Sequence, residues 1–256
     1  MSLLIQTNSQ IYYEVVGEGE TIVFTHGASW DHAQWQPQIR YFSKSYQTIT
    51  WDVRGHGKST LPDGKVDSND FSKDLMMLLD QLEIEKAHLC GLSMGGHISL
   101  QAAARFPERV SSLILIGTPY TNTFNWFEKL FMPINRLSNR FISMKTLGEW
   151  QGRALSKFNS NNKQYIEEVV SRIPHKVWLR LWDAISRMES ENELQNIECP
   201  TLIMQGENDT MIRRQQEVMH EKIKKSELEI IKQAQHATNL DQPDEVNRLI
   251  HTFIKK

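Results

Sequence analysis

The predicted fold follows from the stretch Ala87-His88-Leu89-Cys90-Gly91-Leu92-Ser93-Met94-Gly95-Gly96-His97. A short apolar run leads into the pattern Gly-x-Ser-x-Gly, and small residues suited to a helix continue as far as Arg105. A strand, a tight turn and a helix in this order expose a serine hydroxyl above the end of a sheet. Gly91 and Gly95 flank Ser93 because a turn this tight leaves no room for side chains beside it. We therefore predict that Ser93 is a nucleophile.

Strands and helices alternate along the rest of the chain. Apolar, β-branched runs predict further strands, and most of them are followed by segments with apolar residues at helical spacing. These runs are Leu3–Gln6, Ile11–Val16, Thr21–Thr25, Thr48–Trp51, Leu113–Ile116, Thr201–Met204 and Leu228–Ile231. The first two flank Asn8-Ser9, which predicts an N-terminal hairpin. Because strands that alternate with helices form parallel sheets, we predict an α/β fold with a mostly parallel, doubly wound sheet of about eight strands.

The segment from residue 120 to residue 196 interrupts this alternation. It contains no clear strand, and its aromatic residues recur at helical spacing with breaks near Pro133 and Pro174. We predict a helical cap here, inserted into a core made of residues 1–119 and 197–256, and an exposed loop at the polar run Asn159–Lys163. Most aromatic side chains of the cap are expected to form its own core. Four are predicted to line an apolar substrate pocket: Trp126, Phe127, Trp150 and Trp182.

A serine hydroxyl is a weak nucleophile at neutral pH, so Ser93 needs a base and a third group that orients the base. His236 follows the last predicted strand on a short loop, where it is free to reach a serine above the sheet. Asp209 follows the strand Thr201–Met204 and a glycine turn, whereas its rival Glu207 falls within that turn. We predict His236 as the base and Asp209 as the orienting acid.

Acyl chemistry at Ser93 also requires hydrogen-bond donors for the oxyanion that develops. The backbone N–H of Met94, directly after the serine, is predicted to be one donor. The second is expected from Ala28, in the loop that follows the strand Thr21–Thr25. His26 is expected to brace this loop without taking part in proton transfer.

Composition argues against several other classes of function. The 256 residues include 29 basic and 31 acidic side chains, and a net charge of −2 gives no electrostatic case for nucleic acid or an anionic membrane. No apolar run reaches the length of a membrane span, no signal peptide is recognisable, and no metal-binding spacing occurs. Cys90 and Cys199 are not expected to pair. We therefore expect a cytoplasmic protein that acts on a small molecule without cofactor or metal.

Five motifs resemble those of the α/β-hydrolase superfamily, in the same order and over nearly the full length of the chain. They are His26-Gly27-Ala28, Asp52–Ser59, Gly91–Gly96, Gly206–Asp209 and His236 before Gln242-Pro243. The resemblance implies a catalytic triad of Ser93, Asp209 and His236. It also implies an oxyanion hole formed by Ala28 and Met94. Within the superfamily, the chain is most similar to small capped esterases, enol-lactone hydrolases and cofactor-free haloperoxidase-type enzymes.

These observations predict a serine hydrolase that cleaves a carboxylic ester or lactone through an acyl-enzyme on Ser93. Two alternatives stay open. The same triad is compatible with hydrolysis of a carbon–carbon bond in a β-diketone-like substrate, as in meta-cleavage product hydrolases. The chain is also compatible with a signal-binding protein that keeps a triad, turns over little and closes its cap on a partner.

Overall fold

A central sheet of eight strands organises the chain. The computed structural model describes residues 2–5, 10–210 and 212–256, so the predicted Asn8-Ser9 turn lies outside the described residues. The strands are β1 (Ser2–Ile5), β2 (Gln10–Val16), β3 (Thr21–Thr25), β4 (Gln47–Trp51), β5 (Ala87–Leu92), β6 (Val110–Ile116), β7 (Thr201–Gly206) and β8 (Ser226–Ile231). Their order is β1-β2-β4-β3-β5-β6-β7-β8, antiparallel from β1 to β4 and parallel from there on. The predicted α/β fold with about eight strands is confirmed.

Ten helices accompany the sheet within the described residues. They are α1 (Gln36–Phe42), α2 (Asn69–Gln81), α3 (Met94–Arg105), α4 (Trp126–Ser138), α5 (Met144–Ala154), α6 (Asn162–Ser171), α7 (His175–Ile185), α8 (Arg213–Lys222), α9 (Thr238–Asp241) and α10 (Pro243–Ile254). The core lies on both faces of the central strands: every residue of β3 and β5 is buried. This burial explains why the run Leu113–Ile116 in β6 is apolar throughout, since neither face meets water.

The register of the parallel strands brings their carboxyl ends to one edge of the sheet. Thr25 pairs with Gly91, Leu92 pairs with Ile116, and the last residue of β7 pairs with the last residue of β8. The loops that follow these strands therefore meet at that edge. In open α/β sheets this edge is where ligands bind.

Helices α4 to α7 lie between β6 and β7 in the chain, in the segment predicted to be a cap. The two ends of this segment are joined, because Thr121 and Glu189 form an isolated antiparallel bridge. Helices α5 and α6 pack closely, and Gly152 permits this because a methyl group there would lie 2.7 Å from Cγ of Glu167. The division into core and cap domains stays a prediction.

The aromatic side chains of this segment differ from the expectation that most would form its core. Five are exposed: Trp126, Phe127, Phe131, Phe141 and Trp150. The first three of these lie on α4, whose only buried residue is Met132. The helix contacts its neighbours through one side and leaves its aromatic side open.

Candidate active site

Ser93 lies at the turn between β5 and α3, with φ 54° and ψ −117°. This left-handed backbone is strained for a residue with a side chain, at a cost of about 1–3 kcal/mol, and such strain clusters at functional sites. The turn is held from both sides. The N–H of Ser93 donates to the carbonyl oxygen of Ile116 at 2.9 Å. A methyl group at Gly95 would overlap the carbonyl oxygens of Thr25 and His26, so this position requires glycine.

His236 and Asp209 form a short, partly buried hydrogen bond. The imidazole Nδ1 lies 2.6 Å from Oδ2 of Asp209, and the Asp209 side chain is buried while that of His236 is 20% exposed. Asp209 follows β7 and His236 follows β8. A methyl group at Gly117 would lie 3.4 Å from Nδ1 of His236, and Gly117 directly follows the residue that accepts the Ser93 N–H. The pair therefore lies beside the Ser93 turn.

The charge of Asp209 sets the protonation behaviour of His236. Burial by itself would lower the pKa of His236, but the negative charge and the hydrogen bond of Asp209 outweigh burial and raise the pKa above its usual value. Since Asp209 only accepts hydrogen bonds when ionised, Nδ1 carries the proton and donates it. The other ring nitrogen, Nε2, is then the acceptor in the neutral imidazole.

The loop after β3 lies next to the Ser93 turn, because Thr25 pairs with Gly91 across the sheet. The loop is tightly bonded: the N–H of Gly27 donates to Oε1 of Gln34 at 3.0 Å, and the N–H of Trp30 donates to the carbonyl of Gly27 at 3.2 Å. In the part of the chain that the structure describes, the N–H groups of Ala28 and Met94 have no acceptor. Neither donor is used within this part of the structure.

His26 and Asp52 fix the loop after β3 through buried hydrogen bonds. Nδ1 of His26 donates to the carbonyl of Gly27 at 2.8 Å, and Nε2 accepts the N–H of Val53 at 3.0 Å. Burial lowers the pKa of His26, in keeping with this neutral imidazole. Oδ1 of Asp52 accepts the N–H of His32 at 2.7 Å and also contacts its ring Nδ1 at 2.8 Å. The carboxylate thus anchors the loop.

Three residues of the helical segment contact the loops around Ala28 and Gly55, and none of the three is predicted from the sequence. Oε1 of Gln151 accepts from Oγ of Ser29 and from Nε1 of Trp30, each at 3.2 Å. The Tyr165 hydroxyl donates to Oδ1 of Asp31 at 3.1 Å. The side chain of Leu181 packs 3.0 Å from the position of a methyl group at Gly55. No local motif marks these residues, because their partners are far away in the sequence.

Four aromatic residues are predicted to line a substrate pocket, and the structure shows the surroundings of each. Trp126, Phe127 and Trp150 are exposed. The indole N–H of Trp182 donates to Oδ1 of Asn135 at 2.8 Å, and its ring stacks on Trp178. Within the described ranges, no hydrogen bond or ring contact joins any of the four to Ser93, Asp209 or His236. Their role in substrate binding stays a prediction.

The described residues contain neither a metal-binding cluster nor a membrane-spanning helix. No group of three or more His, Cys, Asp or Glu side chains among residues 2–5, 10–210 and 212–256 is arranged to hold a metal ion. No helix of that same part of the chain is both long and apolar enough to cross a membrane.

The fold is that of an α/β-hydrolase, and comparison with known families agrees. The family model described as serine aminopeptidase, S33, matches residues 18–243, so the chain belongs to that family of hydrolases. The predicted membership of the α/β-hydrolase superfamily is thereby confirmed.

Individual proteins resemble the chain over nearly its whole length. 3-Oxoadipate enol-lactonase 1 of Acinetobacter baylyi is 28% identical over 239 residues, which cover 91% of this chain and 88% of that protein. Carboxylesterase YbfK of Bacillus subtilis is 24% identical, covering 93% and 81%. The crystal structure of the enol-lactonase from Burkholderia xenovorans LB400 superposes with a TM-score of 0.91 at 22% identity and full coverage of both chains.

Proposed function

We propose that this protein is a serine hydrolase that cleaves a carboxylic ester or lactone through an acyl-enzyme on Ser93. The observation that carries the proposal is the 2.6 Å pair of His236 and Asp209 beside the strained Ser93 turn. The names of its relatives, an enol-lactonase and a carboxylesterase, support this substrate class.

In the acylation step, Nε2 of His236 takes the proton of the Ser93 hydroxyl as its oxygen attacks the substrate carbonyl. Asp209 stabilises the imidazolium that forms, and it keeps the proton of the neutral ring on Nδ1 so that Nε2 is free to accept the serine proton. The carbonyl oxygen gains negative charge, which the free N–H groups of Ala28 and Met94 stabilise. The imidazolium then protonates the leaving alkoxide, and the acyl group stays on Ser93.

In the deacylation step, His236 removes a proton from water, and the resulting hydroxide attacks the acyl-enzyme carbonyl. The same two N–H groups stabilise the second oxyanion. Ser93 leaves with a proton from His236, and the carboxylic acid is released. For a lactone, the alkoxide that leaves in the first step stays attached to the acyl group, so the product is a single hydroxy acid.

The direct test compares wild-type protein with Ser93→Ala in the hydrolysis of p-nitrophenyl acetate. Loss of the nucleophile is expected to lower kcat by a factor of about 10⁴ or more. The matched control is Ser111→Ala, because Ser111 lies on β6 away from the turn. Labelling of Ser93 by a fluorophosphonate, located by mass spectrometry, checks the covalent step. Retained turnover in Ser93→Ala would remove Ser93 from the mechanism.

The substrate class requires a second comparison. We expect esters of short acyl groups and lactones to give a higher kcat/KM than a meta-cleavage product with a scissile carbon–carbon bond. A preference for the carbon–carbon substrate would replace the ester proposal with that activity. Binding of small ligands with a single slow turnover would favour the signal-binding alternative.

A further inference from the structure

Helix α4 exposes an apolar face that no described part of the chain covers. Six apolar side chains of this helix are exposed: Trp126, Phe127, Leu130, Phe131, Ile134 and Leu137. The exposed fraction reaches 76% for Trp126 and 64% for Leu130. At 100° per residue, the six side chains occupy a continuous arc of about 140° around the helix. This arc is the apolar face of α4.

The rings on this face are contiguous. Phe127 stacks on Phe131 with centroids 5.7 Å apart, and Trp126 meets Phe127 edge-on at 6.1 Å. Phe141, in the turn that follows α4, is 84% exposed. Scattered apolar residues are normal on a surface, but contiguous patches of this kind on monomeric proteins mark sites of interaction.

A cationic cavity adjoins the apolar face of α4. Its volume is about 580 Å³, and α4 itself contributes Pro133 and Leu137 to its wall. Five cationic side chains line the cavity: Lys65, Arg136, Arg140, Arg180 and Arg187. The only carboxylate in the lining is Asp183, which pairs with Arg187 at 3.0 Å. Among the described residues, no carboxylate forms an ion pair with the other four cations, so the cavity keeps an excess of positive charge.

We propose that the apolar face of α4 docks on a bilayer surface that contains anionic phospholipids. Helices that lie in the plane of a membrane interface place Trp, Phe and Leu among the acyl chains and Lys or Arg beside the phosphates. The α4 face has this composition, with Lys129 exposed at its border and the cationic cavity beside it. Charge complementarity therefore selects an anionic lipid surface.

A second copy of the chain fits this surface less well. Two-fold dimers bring the same patch of both subunits together. Such a contact through α4 would place two cationic cavities at one interface, where their charges repel. A bilayer with anionic headgroups covers the apolar face and neutralises the cavity at the same time.

The test measures co-sedimentation of the full chain with vesicles. One set of vesicles is pure phosphatidylcholine, and the other contains about 30% phosphatidylglycerol. The apolar variant carries Leu130→Ser and Ile134→Ser, and the charge variant carries Lys129→Gln and Arg140→Gln. The matched control carries Ile230→Ser and Lys224→Gln, which change an exposed apolar side chain on the edge strand β8 and an exposed cationic side chain just before it, outside both α4 and the cavity lining. Thermal melting verifies that each variant is folded.

We expect wild-type protein and the matched control to bind the anionic vesicles at least about tenfold more strongly than phosphatidylcholine vesicles. The apolar variant should lose about tenfold in binding, and the charge variant should lose the preference for anionic lipid. Absence of sedimentation at millimolar lipid, or equal binding by the apolar variant, would overturn the proposal. A wild-type dimer in analytical ultracentrifugation that the apolar variant abolishes, without vesicle binding, would assign the face to a second copy instead. None of these outcomes depends on hydrolytic activity.

Discussion

Asp209 controls the pKa of His236 through its charge and through one hydrogen bond. The bond is short, at 2.6 Å, and one partner is buried. The charge of Asp209 has to offset the desolvation of the imidazole, and the balance raises the pKa of His236. A base with a raised pKa is a stronger base, but a larger fraction of it is protonated near neutral pH.

This balance predicts the pH dependence of hydrolysis. Only neutral His236 accepts the Ser93 proton, so kcat/KM should fall as the pH is lowered through the pKa of His236, above its ordinary value of about 6.5. Asp209→Asn removes the charge and leaves burial, which moves this limb to lower pH and lowers kcat by a factor of about 10³–10⁴. A pH–rate profile of p-nitrophenyl acetate hydrolysis measures both. An acid limb that stays in place in Asp209→Asn would contradict the assignment.

The close packing around Gly95 predicts that adding one methyl group there destabilises the fold. Gly95→Ala would press a Cβ into the carbonyl oxygens of Thr25 and His26, which are backbone atoms and yield little. We expect a loss of about 3 kcal/mol in the free energy of unfolding. Gly64→Ala is the comparison, because nothing lies within 4 Å of its added methyl and only its positive φ opposes the change, at about 1 kcal/mol. Urea denaturation measures the difference, and equal losses would argue against the close approach of α3 to the loop after β3.

At the scale of elements, helix α5 reaches the loop that carries Ala28. Ser29, the next residue, has a φ of 65°, so the loop is strained where it approaches the site. Gln151 accepts hydrogen bonds from Ser29 and Trp30 and thereby holds the loop from the side of the helical segment. The helical segment thus contributes to the geometry of the predicted oxyanion hole.

The contact of Gln151 with the loop predicts a larger effect on kcat than on KM. Gln151→Ala removes the hydrogen bond from Trp30, with a net contribution of about 1 kcal/mol. It also removes the longer contact with Ser29, whose single hydroxyl proton lies closer to the carbonyl of Ala28, at 2.5 Å. We expect kcat to fall about tenfold with a smaller change in KM, since a misplaced oxyanion donor acts in the transition state. Gln164→Ala on α6 is the matched control, because Gln164 is exposed and bonds only Glu168. A similar fall in both variants would remove Gln151 from a positioning role.

At the scale of the whole molecule, Asp241 joins segments that are far apart in the sequence. Its Oδ2 accepts the N–H of Gln235, directly before His236, and its Oδ1 accepts from Nδ2 of Asn162 on α6. Asn162 belongs to the polar run expected to be exposed, yet it is buried. The expectation holds for Ser160, Asn161 and Lys163, which are exposed, and is wrong for Asn162. A polar side chain is readily buried when another buried polar group satisfies it.

The raised pKa of Asp241 predicts that the free energy of unfolding depends on pH. Burial raises the pKa of Asp241 to about 6, so the folded state favours its protonated form. Its favourable contribution is complete below the unfolded value of about 3.8 and is lost as the pH rises through about 6, which amounts to about 3 kcal/mol. The stability of Asp241→Asn relative to wild type should therefore increase by about 2 kcal/mol between pH 4 and pH 6, because the transition begins below pH 4 and ends above pH 6. Urea denaturation across this range measures it, with Asp244→Asn as the exposed control; a constant difference would contradict the prediction.

The distribution of charge over the whole surface bears on the proposed docking of α4. A net charge of −2 gave no case for an anionic membrane. The folded chain nevertheless gathers Lys65, Arg136, Arg140 and Arg180 around one cavity beside the apolar face of α4. Screening limits electrostatic attraction to about 10 Å, so the local charge counts for docking and the total does not.

The sequence by itself determined the sheet, the Ser93 turn and the positions of Asp209 and His236 after β7 and β8. These features are local, because strand periodicity, glycine spacing and the order of loops can be recognised from short stretches of sequence. Only the tertiary structure decided that Gln151 and Asp241 hold the site's loops and that α4 leaves its aromatic side open. Contacts of this kind join residues that are distant in the chain, and burial depends on what packs against a helix, which its own sequence does not contain.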